Sequence, residues 1–210
     1  MSDLNSIKKL MQLMEQSICK VKLKRGGHGT GFFCNISNKI PVLITNNHVL
    51  GEDDISPGKK INFSTNNDKQ NYEIEIDKER RIYSSRKYDI TIIELKNEDC
   101  IKPDSLLDID DNIFNADCNY KNNSVYLLYY KTEHEMSFSE GKIKNVVADE
   151  DIYEIEHLCD SCPGSAGGPL INSNDFKVIG MHKSKKLHSK SKIGILLTGA
   201  INEFKSQFKL

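Results

Sequence analysis

The chain has 210 residues, with 29 Lys and Arg against 30 Asp and Glu, a net charge of −1, six cysteines and no Trp. Near-neutral charge argues against a surface built to hold nucleic acid or an anionic membrane, and no apolar run approaches the length of a membrane span. A chain of this length forms one domain, or two small ones tightly apposed, with an ample core.

Leu4, Ile7, Leu10, Met11, Met14 and Ile18 recur at helical spacing after a possible cap at Ser2 or Asp3, which predicts an amphipathic helix over residues 1–19. Its apolar face packs across the body of the protein, or docks on a partner or a second copy. The N-terminus has neither the apolar core nor the small-residue cleavage site of a secretory signal. Cys19, Cys34, Cys100, Cys118, Cys159 and Cys162 are therefore expected as free thiols in a reducing compartment, the cytoplasm. Short apolar stretches follow at regular spacing: Cys19–Leu23, Phe32–Ile36, Pro41–Thr45, Ile61–Phe63, Tyr72–Ile76 and Ile90–Leu95. Alternation, β-branched residues and Asn- and Asp-rich punctuation make these strands. A polar stretch over 96–123, with Leu106, Leu107, Ile113 and Phe114 as anchors, reads as a linker. A second set covers Val125–Tyr130, Met136–Phe138, Lys142–Ile143, Tyr153–Ile155, Pro169–Ile171, Lys177–Met181 and Ile193–Leu197, and a short amphipathic helix closes the chain over 201–210. No fixed-period repeat is visible, so many short strands imply an all-β sandwich or barrel.

The segment Pro163-Gly164-Ser165-Ala166-Gly167-Gly168-Pro169 has the form of a turn that presents a serine hydroxyl beside backbone N–H groups, but the nucleophile position holds Ala166. Upstream, His48 follows the strand Pro41–Thr45, and Asp89 stands at the head of Ile90–Leu95. The order His, Asp, nucleophile is one of those adopted by the Ser-His-Asp triad. In such a triad the histidine moves the proton, the aspartate sets its tautomer, and the N–H groups of Gly164 and residue 166 hold the oxyanion. An alanine removes the attacking hydroxyl and leaves those N–H groups intact.

On these motifs, over roughly residues 20–208, the chain resembles the chymotrypsin/trypsin-like serine proteases. The resemblance implies two antiparallel six-stranded β-barrels with the site in the crevice between them. The first would span 20–107 and carry His48 and Asp89; the second would span 108–200 and carry the turn at Ala166. It implies a protein or peptide substrate, no cofactor and no metal, and leaves room for a regulatory protein partner; nucleic acid and membrane are not expected partners. Trypsin-like members have an Asp six residues before the nucleophile at the floor of S1, which here is Asp160 and implies Arg or Lys at P1. Glutamate-specific and viral 3C-like relatives instead carry a Gly-x-His whose histidine lines S1, matched by Gly180-Met181-His182. Secreted members join a cysteine before the histidine strand to one directly after the histidine. Cys34 fits the first place and Val49 fills the second, which agrees with reduced thiols. Ser165 stands where those enzymes have an Asp that pairs with a new N-terminus, so that activation switch is not expected. The turn is similar in style to proteases of the high-temperature-requirement type, with no regulatory domain expected after Leu210.

Ala166 has two readings: a serine replaced by alanine in an otherwise active endopeptidase, or a natural pseudoprotease that binds peptide or a partner. Two further features are weaker. His157, Cys159 and Cys162 have metal-like spacing but lack a fourth ligand, and the basic run from His182 to Lys192 reads as a solvated hairpin loop without aromatics for base stacking.

Overall fold

A computed structural model of the chain describes residues 4–23, 26–36, 39–115, 119–132, 135–186 and 188–210. Cys118 and the expected caps Ser2 and Asp3 lie outside the described residues. Helix α1 spans Leu4–Ser17. The first sheet holds β1 (Ile18–Lys22), β2 (His28–Ile36), β3 (Ile40–Thr45), β4 (Lys60–Thr65), β5 (Gln70–Glu75), β6 (Ile82–Ser85), β7 (Ile90–Glu94) and β8 (Leu107–Asp108). The second holds β9 (Ser124–Thr132), β10 (Glu135–Asp149), β11 (Ile152–His157), β12 (Pro169–Asn172), β13 (Val178–Lys185) and β14 (Lys192–Leu196), followed by helix α2 (Thr198–Phe208).

Two antiparallel β units with a helix at each end match the expected architecture, but only the second closes. It is a barrel in the order β10-β11-β14-β13-β12-β9, whereas the first is a curled sheet in the order β5-β4-β1-β2-β3-β7-β6, with β8 added parallel to β2. Closure of the first unit is replaced by a cover. Helix α2 lies along the β6 edge, where Gln207 donates to the Ile82 carbonyl at 3.4 Å, so this edge does not stay open to another chain.

Both faces of β2, β3 and β7 are buried, which explains why these strands read as apolar runs, whereas the outer strands β4 and β5 keep exposed polar residues. Phe32, Val42, Ile44, Ile90 and Ile92 face a core shared with the barrel residues Val125, Leu127, Leu170 and Ile195. Their neighbours Phe33, Leu43 and Ile93 face a second core inside the curl with Phe63 and Ile74. A one-residue slip in any of these strands would exchange its two faces, so packing fixes the register.

Helix α1 buries Leu10, Leu13 and Met14 while Leu4, Ile7 and Met11 stay exposed, so its apolar residues divide between two faces. The stretch 96–123 is tied at its middle to both units: β8 pairs with β2, and the next residue, Ile109, bridges Val178 of β13. The pieces Met136–Phe138 and Lys142–Ile143 belong to one 15-residue strand, β10. It pairs with β9 up to Lys142 and with β11 from Ile143, turning the barrel corner after Gly141. A Cβ at Gly141 would lie 2.5 Å from the Cys159 amide nitrogen, so this corner requires glycine.

Candidate active site

His48 stands in the turn after β3 and Asp89 in the turn before β7; these strands pair directly, with Thr45 opposite Thr91. The structure brings the two side chains together: His48 Nδ1 lies 2.8 Å from Asp89 Oδ2, and the His48 backbone N–H donates to Asp89 Oδ1 at 3.0 Å. Asp89 adopts a left-handed backbone (φ 52°), a conformation Asp tolerates better than most residues. Its carbonyl accepts from Asn46 Nδ2 at 2.9 Å, and its amide donates to Arg86 O at 3.3 Å. Asn47 Nδ2 donates to Ser84 Oγ, which meets Thr91 Oγ1, and Thr91 Oγ1 donates to Leu50 O. The His48 side chain is about half exposed while that of Asp89 is 15% exposed. This gives a solvated ring held at one nitrogen by a largely covered carboxylate. A cleft lined by Asn47, His48, Glu52, Asp53 and Arg86 opens beside it.

The turn carrying Ala166 is fixed peptide by peptide. Ser165 N–H donates to Cys162 O, Gly167 N–H to His182 O, and Gly168 N–H to Ser165 O, while Gly168 O accepts from His182 N–H. Gly164 O accepts from Thr30 Oγ1 at 2.7 Å, and Ala166 O from Thr30 N–H at 2.8 Å. Among the described residues, the amides of Gly164 and Ala166 have no acceptor. Gly164 and Gly167 have φ of 94° and 86°, and a Cβ on Gly167 would lie 2.0 Å from Thr30 O, so glycine is required for both conformation and space. Ala166 itself is half-buried against the core that contains Val49 and Leu50, the residues that follow His48.

The two S1 candidates differ sharply. Asp160 is exposed, with its amide donating to Ser139 Oγ at 2.7 Å, so the buried carboxylate expected for a basic P1 pocket is absent from this position. The reason is local: Leu158 N–H continues the pairing to Lys142 O, and Asp160 falls with Leu158 on the exposed side, opposite the buried Cys159. His182 is buried and bonded by its own backbone to Gly167 and Gly168 of the turn. Its Nδ1 lies 3.1 Å from Nε2 of His157, a residue buried completely. Burial depresses both histidines, His157 to about 4 and His182 to about 3, the nearby charge of Lys192 adding to it, so the pair is neutral at neutral pH. His157 Nδ1 is buried without a partner among the described residues.

The cysteine expectations divide. The described cysteines are free. Cys34 does not hold the place opposite Val49: it pairs with Val42 across β2 and β3 and faces the shared core. The backbone position packed on Val49 is Gly29, where a Cβ would lie 2.7 Å from the valine methyls. Cys159 Sγ approaches Val125 O and Cys162 Sγ approaches Lys131 O. These carbonyls sit six positions apart on β9, about 20 Å along a strand, which separates the two sulfurs too far for a shared metal or a disulfide. Burial pushes the Cys159 thiol up to about 12, which keeps it protonated. Within the basic run, Lys183 pairs with Glu154 and Lys186 with Glu156.

Sequence reasoning missed Thr30, Asn46 and the His157–His182 contact. Asn46 is legible as a polar residue ending an apolar strand. Thr30 sits between glycines in a segment that reads as a turn, and only the fold shows it as strand.

Comparison with known proteins agrees with this geometry. Residues 29–181, well over half of the chain, match the trypsin-like peptidase domain, and the chain belongs to that family. No curated protein sequence matches it. Solved structures similar to it include Rv3671c from M. tuberculosis H37Rv in the inactive form of a Ser-to-Ala mutant (17% identity, TM-score 0.70, covering 98% of this chain and 93% of that one). The serine endoprotease from Yersinia pestis is another (14%, TM-score 0.70, covering 100% and 68%), as is Deg5 (17%, TM-score 0.67, covering 94% and 91%). At these identities the likeness is one of fold.

Proposed function

We propose that the chain is the scaffold of a serine endopeptidase whose nucleophile position, residue 166, holds alanine in place of serine. His48 is the general base and acid, Asp89 holds its tautomer, and the N–H groups of Gly164 and Ala166 receive the oxyanion. The observation that carries this reading is the His48 Nδ1–Asp89 Oδ2 contact of 2.8 Å, which commits one ring nitrogen and leaves Nε2 for a hydroxyl at residue 166. With serine restored, the hydroxyl would attack a peptide carbonyl and pass its proton to His48. An acyl-enzyme would form, and the leaving amine would depart with that proton.

At P1 the support lies with His182 rather than Asp160. A neutral, buried imidazole bonded to the nucleophile turn suits a hydrogen-bonding Gln or Glu side chain, whereas Asp160 stands in solvent. His182→Ala in the Ala166→Ser protein should abolish Gln/Glu cleavage, and loss of Arg/Lys cleavage on Asp160→Ala would return the assignment to Asp160. Free cysteines support a reducing, cytoplasmic setting.

A second reading is favoured by Ala166 itself: a natural binding module that holds peptide in the same crevice without cutting it. The deciding experiment is fluorophosphonate labelling of Ala166→Ser, with the unmodified chain and the Ala166→Ser/His48→Ala double variant as controls. Labelling that needs both the serine and His48 supports the peptidase; no labelling of a folded Ala166→Ser protein supports the binding module.

A further inference from the structure

We propose that Thr30 is the positioning residue of the oxyanion turn, an assignment that rests on the peptidase reading for its catalytic consequence and on the structure for its geometry. Thr30 lies on β2 of the first unit and is completely buried, yet it makes four hydrogen bonds, two of them to the turn of the second unit. Its hydroxyl donates to Gly164 O at 2.7 Å and accepts from Tyr130 N–H at 3.0 Å. Its amide donates to Ala166 O at 2.8 Å, and its carbonyl accepts from Thr45 Oγ1 at 2.7 Å. One residue therefore grips the carbonyls on either side of Ser165 and ties them to β9 through Tyr130 and to the end of β3, next to the His48 turn, through Thr45.

The consequence follows from the geometry of glycine. Gly164 has φ of 94°, a region in which glycine is free to relax, and its amide has no acceptor among the described residues. What holds the residue is the peptide that follows it, whose carbonyl is bonded to Thr30 and whose Ser165 N–H is bonded to Cys162 O, together with the close walls around it. A Cβ there would lie 2.4 Å from His28 Nε2 and 2.6 Å from Tyr130 O. Without the Thr30 hydroxyl, Tyr130 N–H becomes buried and unpaired, Gly164 O loses its partner, and the peptide after Gly164 keeps only the Ser165 N–H bond to Cys162 O, so the φ and ψ of this glycine can relax. The N–H that should face an oxyanion lies on the other side of the same glycine, in the peptide shared with Pro163, and swings as those torsions change. The Ala166 carbonyl keeps its bond to the Thr30 amide, because that bond is backbone to backbone. Loss of the hydroxyl should therefore misdirect the Gly164 N–H more than that of Ala166.

The test has two arms. In the unmodified chain, 15N–1H spectra of Thr30→Val, Thr30→Cys and Thr30→Ser are compared with the parent. Valine keeps the branched shape, cysteine offers a weak donor, and serine keeps the hydroxyl. The Gly164 cross-peak should move or broaden most in Thr30→Val, less in Thr30→Cys and least in Thr30→Ser, with the Ala166 peak moving less and the β4–β5 hairpin unchanged. If Thr30→Val does not fold, the Cys and Ser variants decide. A Gly164 peak as undisturbed in Thr30→Cys as in the parent, or as disturbed in Thr30→Ser as in Thr30→Cys, overturns the proposal. In the Ala166→Ser background, Thr30→Val should lower kcat roughly 10- to 100-fold with KM within about twofold, since removing an oxyanion donor outright costs about 10²–10³. Thr30→Ser should recover most of the loss, and a change confined to KM also overturns the proposal. An inactive Ala166→Ser parent would count against the peptidase reading, while the spectra still decide the role of Thr30.

Discussion

In the open first sheet, the backbone bonds of the His48 and Asp89 turns are supplemented by side chains: Asn46 on the Asp89 carbonyl, Asn47 on Ser84, and Thr91 on Leu50. In the closed barrel, the turn at Ala166 is held by backbone bonds to Cys162, Ser165 and His182 and by the Thr30 contacts, with glycines pressed against neighbouring backbone. A site half built from side chains is adjustable, and a point substitution there removes chemistry while leaving the fold. A site half built from packed backbone offers few side chains to remove, and a substitution there adds atoms where no space exists. The first unit should therefore fail in activity and the second in stability.

Asp89→Asn in the Ala166→Ser protein is the strongest test of the first half. An amide holds the imidazole but favours the wrong tautomer, so kcat should fall about 10⁴-fold, about 5.5 kcal/mol in the transition state, with the melting temperature almost unchanged. A fall in stability that matched the loss of activity would break the distinction.

Gly167→Ala tests the second half. Its Cβ would meet Thr30 O at 2.0 Å in a left-handed conformation, and the expected loss of stability is about 4 kcal/mol from strain and overlap together. Gly58→Ala is the control, since Gly58 has φ of 85° but nothing within 4 Å of the added Cβ. That change should cost only the conformational part, about 1–2 kcal/mol. Equal denaturation midpoints for the two variants would show that the barrel turn yields.

How much of this was legible in sequence follows the same division. The apolar strands, both helices, and His48, Asp89 and Ala166 as the candidate site could be read because each is marked locally, by an apolar run, a turn or a glycine pair. Strand β6 was missed because two of its four residues are serines and its partners are β7 and, on its outer edge, α2. Strand β8 was missed because two residues carry no periodicity, and only pairing with Cys34 and Asn35 makes them strand. Gly29 replaced Cys34 opposite Val49 because spacing in sequence does not report which face of β2 a residue occupies. The His157–His182 contact joins β11 to β13 across β14, a relation between residues 25 positions apart that no local pattern encodes.

That buried pair gives the barrel a pH dependence. Burial holds the native pKa values below the unfolded value of about 6.5, at about 4 for His157 and about 3 for His182. Below pH 6.5 the unfolded chain takes up protons that the native pair does not, so stability is complete above that pH and falls as pH drops towards 4. The slope contributed by each histidine is about 1.4 kcal/mol per pH unit, or roughly 3 kcal/mol between pH 6 and 4. His157→Gln should flatten the measured curve by that amount; a curve of unchanged slope would mean that the pair is reached by water.

The smallest effect concerns the join between the two halves. Tyr88, which precedes Asp89, is completely buried, and its hydroxyl lies within hydrogen-bond reach of Asp151 of the β10–β11 turn and of Glu203 of α2, the latter at 2.9 Å, its one proton shared between the two carboxylates. Lys87 pairs with Asp151 at 2.6 Å, and Tyr83 OH donates to Glu203 at 2.6 Å. The turn that carries the acid of the first unit is thus fastened to the barrel and its helix by a phenol between two carboxylates. Tyr88→Phe keeps the packing and removes only the bridge, so it should cost about 1.5–2 kcal/mol, at the low end of the range for hydrogen bonds to charged groups. Tyr83→Phe removes a donor to Glu203 alone and leaves the Asp151 contact in place, and should cost less. If the junction only adds stability, kcat of the Ala166→Ser protein stays within about twofold in both variants. A larger fall in kcat for Tyr88→Phe than for Tyr83→Phe at matched stability would mean that the barrel also sets the position of Asp89, and the two halves would then share one device rather than divide two tasks.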